Sequence, residues 1–232
     1  MRIVVRADAS RVLGVGHVMR CLTLVEALDA KAWFICSQAD GHIGDLIAAR
    51  GHQVHLLADA MPAAEDAAHT AALAAQYKAS LVLVDHYKLN ATWEREMPCP
   101  VMVIDDLADR PHACAVLLDQ NLGRDLADYA GLVAPECVCL IGPRYALLRP
   151  EFQAVRAQSL QARAQKTPLD GSGRAHVLIT MGGTDAPNAT GWVLEALHQM
   201  PEICETVRIS VVLGPTAPHQ QAVRSALETL DC

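Results

Sequence analysis

The sequence predicts an α/β protein: a parallel sheet covered on both faces, followed by a second, shorter α/β unit. Three observations carry this expectation. Strands alternate with helical segments along nearly all of the 232 residues. The strand segments are continuous apolar runs, such as Ser80 to Asp85 and Val101 to Asp105, and not the alternating pattern of a sheet with one wet face. The arrangement of strand, glycine turn and helix at the N-terminus also returns after residue 174.

Ile3-Val4-Val5 reads as the first strand and Leu22 to Leu28 as the first helix. Strands follow at Lys31 to Cys36 and Gln53 to Leu57, separated by a short helix from Ile43 to Arg50 that Gly51 ends. An alanine-rich helix from Ala63 to Tyr77 leads into the strand Ser80 to Asp85. Asn90 is a natural N-cap for a short helix reaching Glu96. Next come strands Val101 to Asp105 and Val116 to Asp119, a helix near Asp125 to Leu132, and the strand Val138 to Ile141. Pro150 to Gln165 reads as a helix and Lys166 to Arg174 as a linker, rich in Gly, Pro and polar residues. The second unit has a strand Ala175 to Met181, a turn Gly182 to Pro187, a helix Asn188 to Met200, a strand Val207 to Leu213 and a helix Ala217 to Leu230. The expected layout is an N-terminal Rossmann-like domain over 1–150, a connecting helix and linker over 151–174, and a partial C-terminal domain over 175–232. Two strands and two helices bury the faces of a sheet poorly, so the chain is expected to end before that second domain does.

Composition narrows the function classes. Hydrophobic residues make up 52% of the chain and charged residues 19%, which supports a sizeable core. The net charge of -7 argues against general binding to nucleic acid or anionic membranes. The 8 cysteines include no C-x-x-C pair, and they read as small core residues of a reducing compartment. With no apolar leader or membrane-length run, a cytoplasmic location is expected.

The chemistry concentrates in residues 6 to 21. Gly14-Val15-Gly16-His17 lies between the first strand and the first helix, a place where backbone N–H groups meet anionic ligands. The helix dipole disfavours a second positive charge there, which predicts an uncharged imidazole at His17, the form a general base requires. The alternative is that His17 only fills a helix terminus. Met19 stands where a dinucleotide fingerprint has its third glycine, and no phosphate-binding G-x-x-x-x-G-K-[ST] occurs. Several strands end in polar residues, at Asp85-His86-Tyr87, Asp105-Asp106 and Asp119-Gln120-Asn121. In open α/β sheets the carboxyl ends of strands form the ligand crevice, although each of these residues alone also reads as a turn former.

Arg6-Ala7-Asp8-Ala9-Ser10, Gly14-x-Gly16-His17-x-x-Arg20-Cys21-Leu22, Val84-Asp85-His86-Tyr87, Ile104 to Arg110, Asp119-Gln120-Asn121, Gly142 to Phe152 and Met181 to Asp185 together have a family likeness. In this order the set resembles the UDP-2,4-diacetamido-2,4,6-trideoxy-β-L-altropyranose hydrolases of pseudaminic acid biosynthesis. The resemblance implies the GT-B architecture, two Rossmann-like domains with parallel sheets, the second truncated here. It implies hydrolysis of a UDP-sugar to UDP and free sugar, with inversion and with no cofactor or metal. His17 would be the catalytic base and Tyr87 would lie near the sugar. Asp8 would orient His17 or bind sugar, and Gly182, Gly183 and Thr184 would face the diphosphate. Gly14, Gly16, Arg20, Cys21, Asp105, Asn121 and Arg149 complete the substrate-binding set that it implies. The partner would be the small-molecule UDP-sugar, with no nucleic acid or membrane; the oligomeric state stays open. The sequence departs from the family after Leu213: the later Gly-Gly-Ser/Thr segment and Asn-Gln pair are missing, so weak UDP binding and slow turnover are expected of the chain. A GT-B glycosyltransferase and a non-catalytic nucleotide-binding fragment are the competing readings.

Overall fold

The computed structural model describes residues 1–165, 174–214 and 217–230. It comprises two compact units, Met1–Leu148 and Arg149–Cys232. The linker expected at Lys166 to Arg174 falls, except for Arg174, outside the described residues.

The first unit is a sheet of seven parallel strands: β1 (Arg2–Ala7), β2 (Lys31–Ser37), β3 (Gln53–Leu57), β4 (Leu81–Asp85), β5 (Val101–Ile104), β6 (Val116–Asp119) and β7 (Val138–Ile141). Its order is β3-β2-β1-β4-β5-β6-β7. The helices are α1 (Gly16–Ala27), α2 (Gly44–Ala49), α3 (Ala63–Gln76) and α4 (Ala91–Glu94). Ile3, Val5 and Ala7 pack on one face with Val18, Cys21, Leu22 and Val25 of α1. Val4 packs on the other with Ala67 and Ala74 of α3 and with Trp93 of α4. Both faces are buried, which explains the unbroken apolar runs.

This alternation along the strands decides where every polar side chain at a strand end goes. Arg6 follows Val4 onto the α3 face, where its Nε donates to Asp66 Oδ2 at 2.8 Å. Asp66 also accepts from Trp93 Nε1 at 2.8 Å. Both members of the ion pair are buried, and each has further hydrogen-bond partners, which is what makes such a pair tolerable inside a protein.

The second unit contains α5 (Pro150–Gln165), β8 (Ala175–Ile179), α6 (Ala189–His198), α7 (Pro201–Cys204), β9 (Val207–Val211) and α8 (Gln220–Glu228). β8 and β9 pair in parallel, over a small core of Ile179, Leu194 and Val223. Val177 and Leu178 are exposed. Among the described residues no helix is long and apolar enough to cross a membrane.

Two boundaries differ from those read in the sequence. The first helix starts at Gly16 and not at Leu22, which puts His17 in its first turn. The helix expected at Asp125 to Leu132 is a single 3-10 turn, Leu126–Tyr129, closed by a capping box of Asp125 and Asp128. Gly131, at φ 78°, turns the chain away. The buried Tyr129 hydroxyl lies 2.9 Å from both Asp105 Oδ2 and Asp119 Oδ2, which anchors the turn to the sheet.

Candidate active site

The chain runs outward from β1 to β3 and then returns to place β4 on the other side of β1. This reversal leaves a crevice between the β1 and β4 carboxyl ends, the position where open α/β sheets take their ligands. A tight turn, with Ser10 and Gly14 paired backbone to backbone, carries the chain from β1 into α1. Gly14 sits at φ 80°, a conformation that a side chain would strain. The N-cap of α1 is Val15, which supplies no side-chain cap, and Gly16 is the first helical residue.

On the α1 face, His17 Nδ1 lies 2.5 Å from Asp85 Oδ1. Asp85 is 1% exposed and sits at the end of β4. Arg20, one turn along α1, grips the same carboxylate with Nε and Nη2. Its Nη1 reaches Asp106 Oδ2 at 3.2 Å. Cys21 Sγ donates to Asp85 Oδ2 at 3.9 Å. The carboxylate is the nearest partner of His17 Nδ1, so that nitrogen carries the proton and Nε2 keeps its lone pair. Nε2 hydrogen-bonds to nothing among the described residues and is not one of the enclosed, unpartnered atoms. The edge of the Tyr87 ring stands against the imidazole, with centroids 4.6 Å apart and planes at 87°. Tyr87 is 42% exposed.

On the α3 face, Asp8 accepts from Arg6 Nη1 at 2.5 Å, from Ser37 N at 2.6 Å and from His86 Nε2 at 3.1 Å. His86 Nδ1 accepts from Lys88 N at 3.1 Å. Both ring nitrogens of His86 are therefore occupied, so of the two histidines only His17 has a nitrogen free for a proton. A cavity of about 350 Å³ opens here, lined in part by Asp8, Ser10, Leu13, Ser37, His86 and Tyr87. Tyr87 is the wall between this cavity and His17.

The expectation that Asp8 orients His17 needs correction, and the other expected residues of this unit are placed as follows. Asp85, not Asp8, pairs with His17: Asp8 continues the Val4–Arg6 side of β1 and faces α3, away from the imidazole. Cys21 is 0% exposed, so its thiol supports Asp85 and does not reach a ligand. Burial first and the Asp85 charge second push that thiol well up. Asp105 is buried, accepts from Leu107 N, Ala108 N and the Tyr129 hydroxyl, and serves the loop after β5. Its neighbour Asp106 points to the α1 face and joins the site. Asn121 is exposed, with its backbone N–H on Asp119 Oδ1 at 2.9 Å.

The remaining expected residues lie in the second unit. Arg149 is exposed, its guanidinium 5.3 Å from the centre of the Phe152 ring. Gly182, at φ 82°, and Gly183 are exposed in the turn after β8, and Thr184 is half-buried. Gly183 O accepts from Gly214 N at 2.8 Å, and a Cβ on Gly214 would sit 2.4 Å from that oxygen, so the turn is packed on the end of β9. The first N–H groups of α6, at Ala189 and Thr190, are taken by Asp185 at 2.9 Å each. That helix start is therefore satisfied from within the chain.

The site's carboxylates make a prediction about acid stability. Burial alone would raise Asp85, but hydrogen bonds from Arg20 and His17, with the Arg20 charge, hold it below the usual carboxylate range. Burial likewise opposes the depression of Asp8, which His86 and Arg6 produce. A carboxyl depressed in the fold binds its proton more tightly in the unfolded chain. Its contribution is then complete above the unfolded value of about 4 and is lost as pH falls through the folded value. Urea denaturation should give constant stability from neutrality down to about pH 5 and a steep fall below about pH 4. Stability that rises on acidification through this range would contradict the pairing.

The comparisons with known proteins follow this geometry. No family model matches the chain. The UDP-2,4-diacetamido-2,4,6-trideoxy-β-L-altropyranose hydrolase of Campylobacter jejuni is 28% identical over 223 residues, 94% of this chain and 72% of the hydrolase. That identity over nearly the whole chain supports membership in the family of that hydrolase. The spore coat polysaccharide biosynthesis protein SpsG of Bacillus subtilis is 32% identical over 87 residues, 38% of this chain and 23% of that protein. An uncharacterized protein of Methanocaldococcus jannaschii is 23% identical over 98% of this chain and 46% of its own length. Among solved structures, MurG of Acinetobacter baumannii matches with a TM-score of 0.56 and 11% identity, covering 98% of this chain and 64% of MurG. That likeness shows the fold, GT-B. The hydrolase family and this fold agree with the α/β order and the switch-point crevice derived above.

Proposed function

We propose that the protein hydrolyses a UDP-linked 2,4-diacetamido-2,4,6-trideoxyhexose, the substrate in the name of its C. jejuni relative, to UDP and the free sugar with inversion. The observation that carries the reading is the His17–Asp85 pair at the β1/β4 switch point, with Nε2 unpartnered among the described residues. In this reading a water oxygen attacks the anomeric carbon from the face opposite the diphosphate. The bond from that carbon to the diphosphate oxygen breaks, and its electron pair leaves with UDP. The water proton passes to His17 Nε2, and Asp85 offsets the charge that arises on the imidazole. UDP is a good leaving group, so a base matters more than a strong acid. Tyr87 and the 350 Å³ cavity beside it would receive the glycosyl group. A soluble, cytoplasmic enzyme of nucleotide-sugar metabolism is the setting this chemistry fits.

NMR on the purified chain and the UDP-sugar, with no sugar acceptor present, tests the reading. Phosphorus spectra should show UDP accumulating, and proton spectra taken before mutarotation should show the inverted anomer first. Turnover only after an acceptor is added would favour a GT-B glycosyltransferase instead. Retention of configuration would rule out direct attack by water.

A further inference from the structure

His17 Nε2 has no hydrogen-bond partner among the described residues, yet the residue keeps only 6% of its surface exposed. The ring of Tyr87 stands against it, T-shaped to the imidazole at 4.6 Å. That ring is firmly held. His86 O and Leu89 O, on either side of Tyr87 in the chain, both accept from the Arg110 guanidinium, from Nη2 at 3.0 Å and from Nε at 2.9 Å. Arg110 Nη1 in turn pairs with the buried Asp105 Oδ1 at 3.0 Å. The Tyr87 hydroxyl lies against the Asp106 carboxylate, and burial first and the Asp106 charge second push the phenol up, so it keeps its proton as a donor. Tyr87 also lines the 350 Å³ cavity, so one fixed ring parts that cavity from the imidazole.

A base enclosed in this way takes its proton only from a small nucleophile. Water presents an oxygen with no substituent, whereas an alcohol must bring a carbon to the same place. Selection of this kind works by a clash with the wrong partner and needs no added contact with the right one. We propose that the Tyr87 ring decides the nucleophile: beside His17 it admits water and shuts out alcohols, which makes the chain a hydrolase and not a glycosyltransferase. The proposal rests on the UDP-sugar reading. Without the ring, an alcohol replaces water in the same balance. Its oxygen bonds to the anomeric carbon and its proton passes to His17 Nε2. The bond from that carbon to the diphosphate oxygen breaks, and its electron pair leaves with UDP.

The test gives the UDP-sugar to the full chain, Tyr87→Phe, Tyr87→Leu and Tyr87→Ala in water containing methanol. NMR and mass spectrometry then count UDP, free sugar and methyl glycoside. The wild type and Tyr87→Phe, which keeps the ring, should release free sugar almost alone. Tyr87→Ala should raise the ratio of glycoside to free sugar by about 10- to 200-fold, the discrimination a pocket exerts over one carbon. Tyr87→Leu should give a smaller rise, and it serves if Tyr87→Ala does not fold. The ratio is blind to how much total turnover a variant loses, so general damage to the site does not move it. The glycoside should have the same inverted configuration as the sugar, and adding His17→Asn should suppress both products together. A wild type that already forms glycoside in proportion to the methanol present would overturn the proposal. So would variants that still hydrolyse the substrate but give no more glycoside than the wild type. A rise in Tyr87→Phe as large as in Tyr87→Ala would overturn it too, because the hydroxyl and not the ring would then decide. Failure of the hydrolysis reading shows separately, as absent UDP release by the wild type in plain buffer, and takes the proposal with it.

Discussion

Replacing His17 with Asn is expected to lower kcat by about 10²–10⁴-fold, the usual contribution of a general base. Asn fits the space and can still meet Asp85, so the fold should survive. What disappears is the nitrogen with a free lone pair. His86 offers no substitute, because its Nδ1 accepts from Lys88 N–H and its Nε2 donates to Asp8. UDP affinity should change little, since the imidazole serves the water and not the nucleotide. The loss should therefore appear in kcat with KM nearly constant. Steady-state kinetics on His17→Asn checks this, and near-normal turnover would remove His17 from the mechanism.

Asp85→Asn is expected to have an effect of similar size for a different reason. The carboxylate of Asp85 meets His17, both Arg20 nitrogens and the Cys21 thiol with its two oxygens. An amide has one oxygen for all of them. If that oxygen stays with Arg20, the NH₂ faces His17 Nδ1 and forces the proton onto Nε2, which ends its use as a base. Where a carboxylate fixes a catalytic imidazole in this way, the amide variant costs about 10⁴-fold in kcat. Arg20 would also lose its nearer partner, which costs up to about 3–5 kcal/mol when a buried pair is broken; Asp106 softens the loss here. Kinetics together with urea denaturation separate the two effects. Full activity in a destabilised Asp85→Asn protein would mean that Asp85 is structural only.

How much of this was legible in the sequence depends on whether the signal was local. The strands were legible because their apolar runs are long and turn residues bound them, and His17 was legible because two glycines and a helix frame it. Asp85 is named in the sequence only as one of several acidic residues at strand ends. Its role depends on β4 lying beside β1, a contact between residues far apart in the chain. The choice between Asp105 and Asp106 turns on alternation. Met102 and Ile104 face the α1 core, so Asp106 follows them, while Val101, Val103 and Asp105 face the other way. The same rule separates Asp8 from His17. Applied to the sequence, once α1 is assigned to the face of Ile3 and Val5, it would have put Asp106 on the side of His17 and Asp8 on the other. Cys21 is misleading because it lies one turn from His17 on the same side of α1, yet that side descends into the core.

The central claim is that water, activated at His17, attacks the sugar carbon and not phosphorus. Hydrolysis of the UDP-sugar by the full chain in ¹⁸O-labelled water, followed by mass spectrometry of both products at early times, tests it most directly. The account predicts ¹⁸O in the anomeric hydroxyl of the free sugar, none in UDP, and almost no labelled product from His17→Asn. Label in UDP would place the attack at phosphorus, leave the His17–Asp85 pair without its proposed task, and contradict the account.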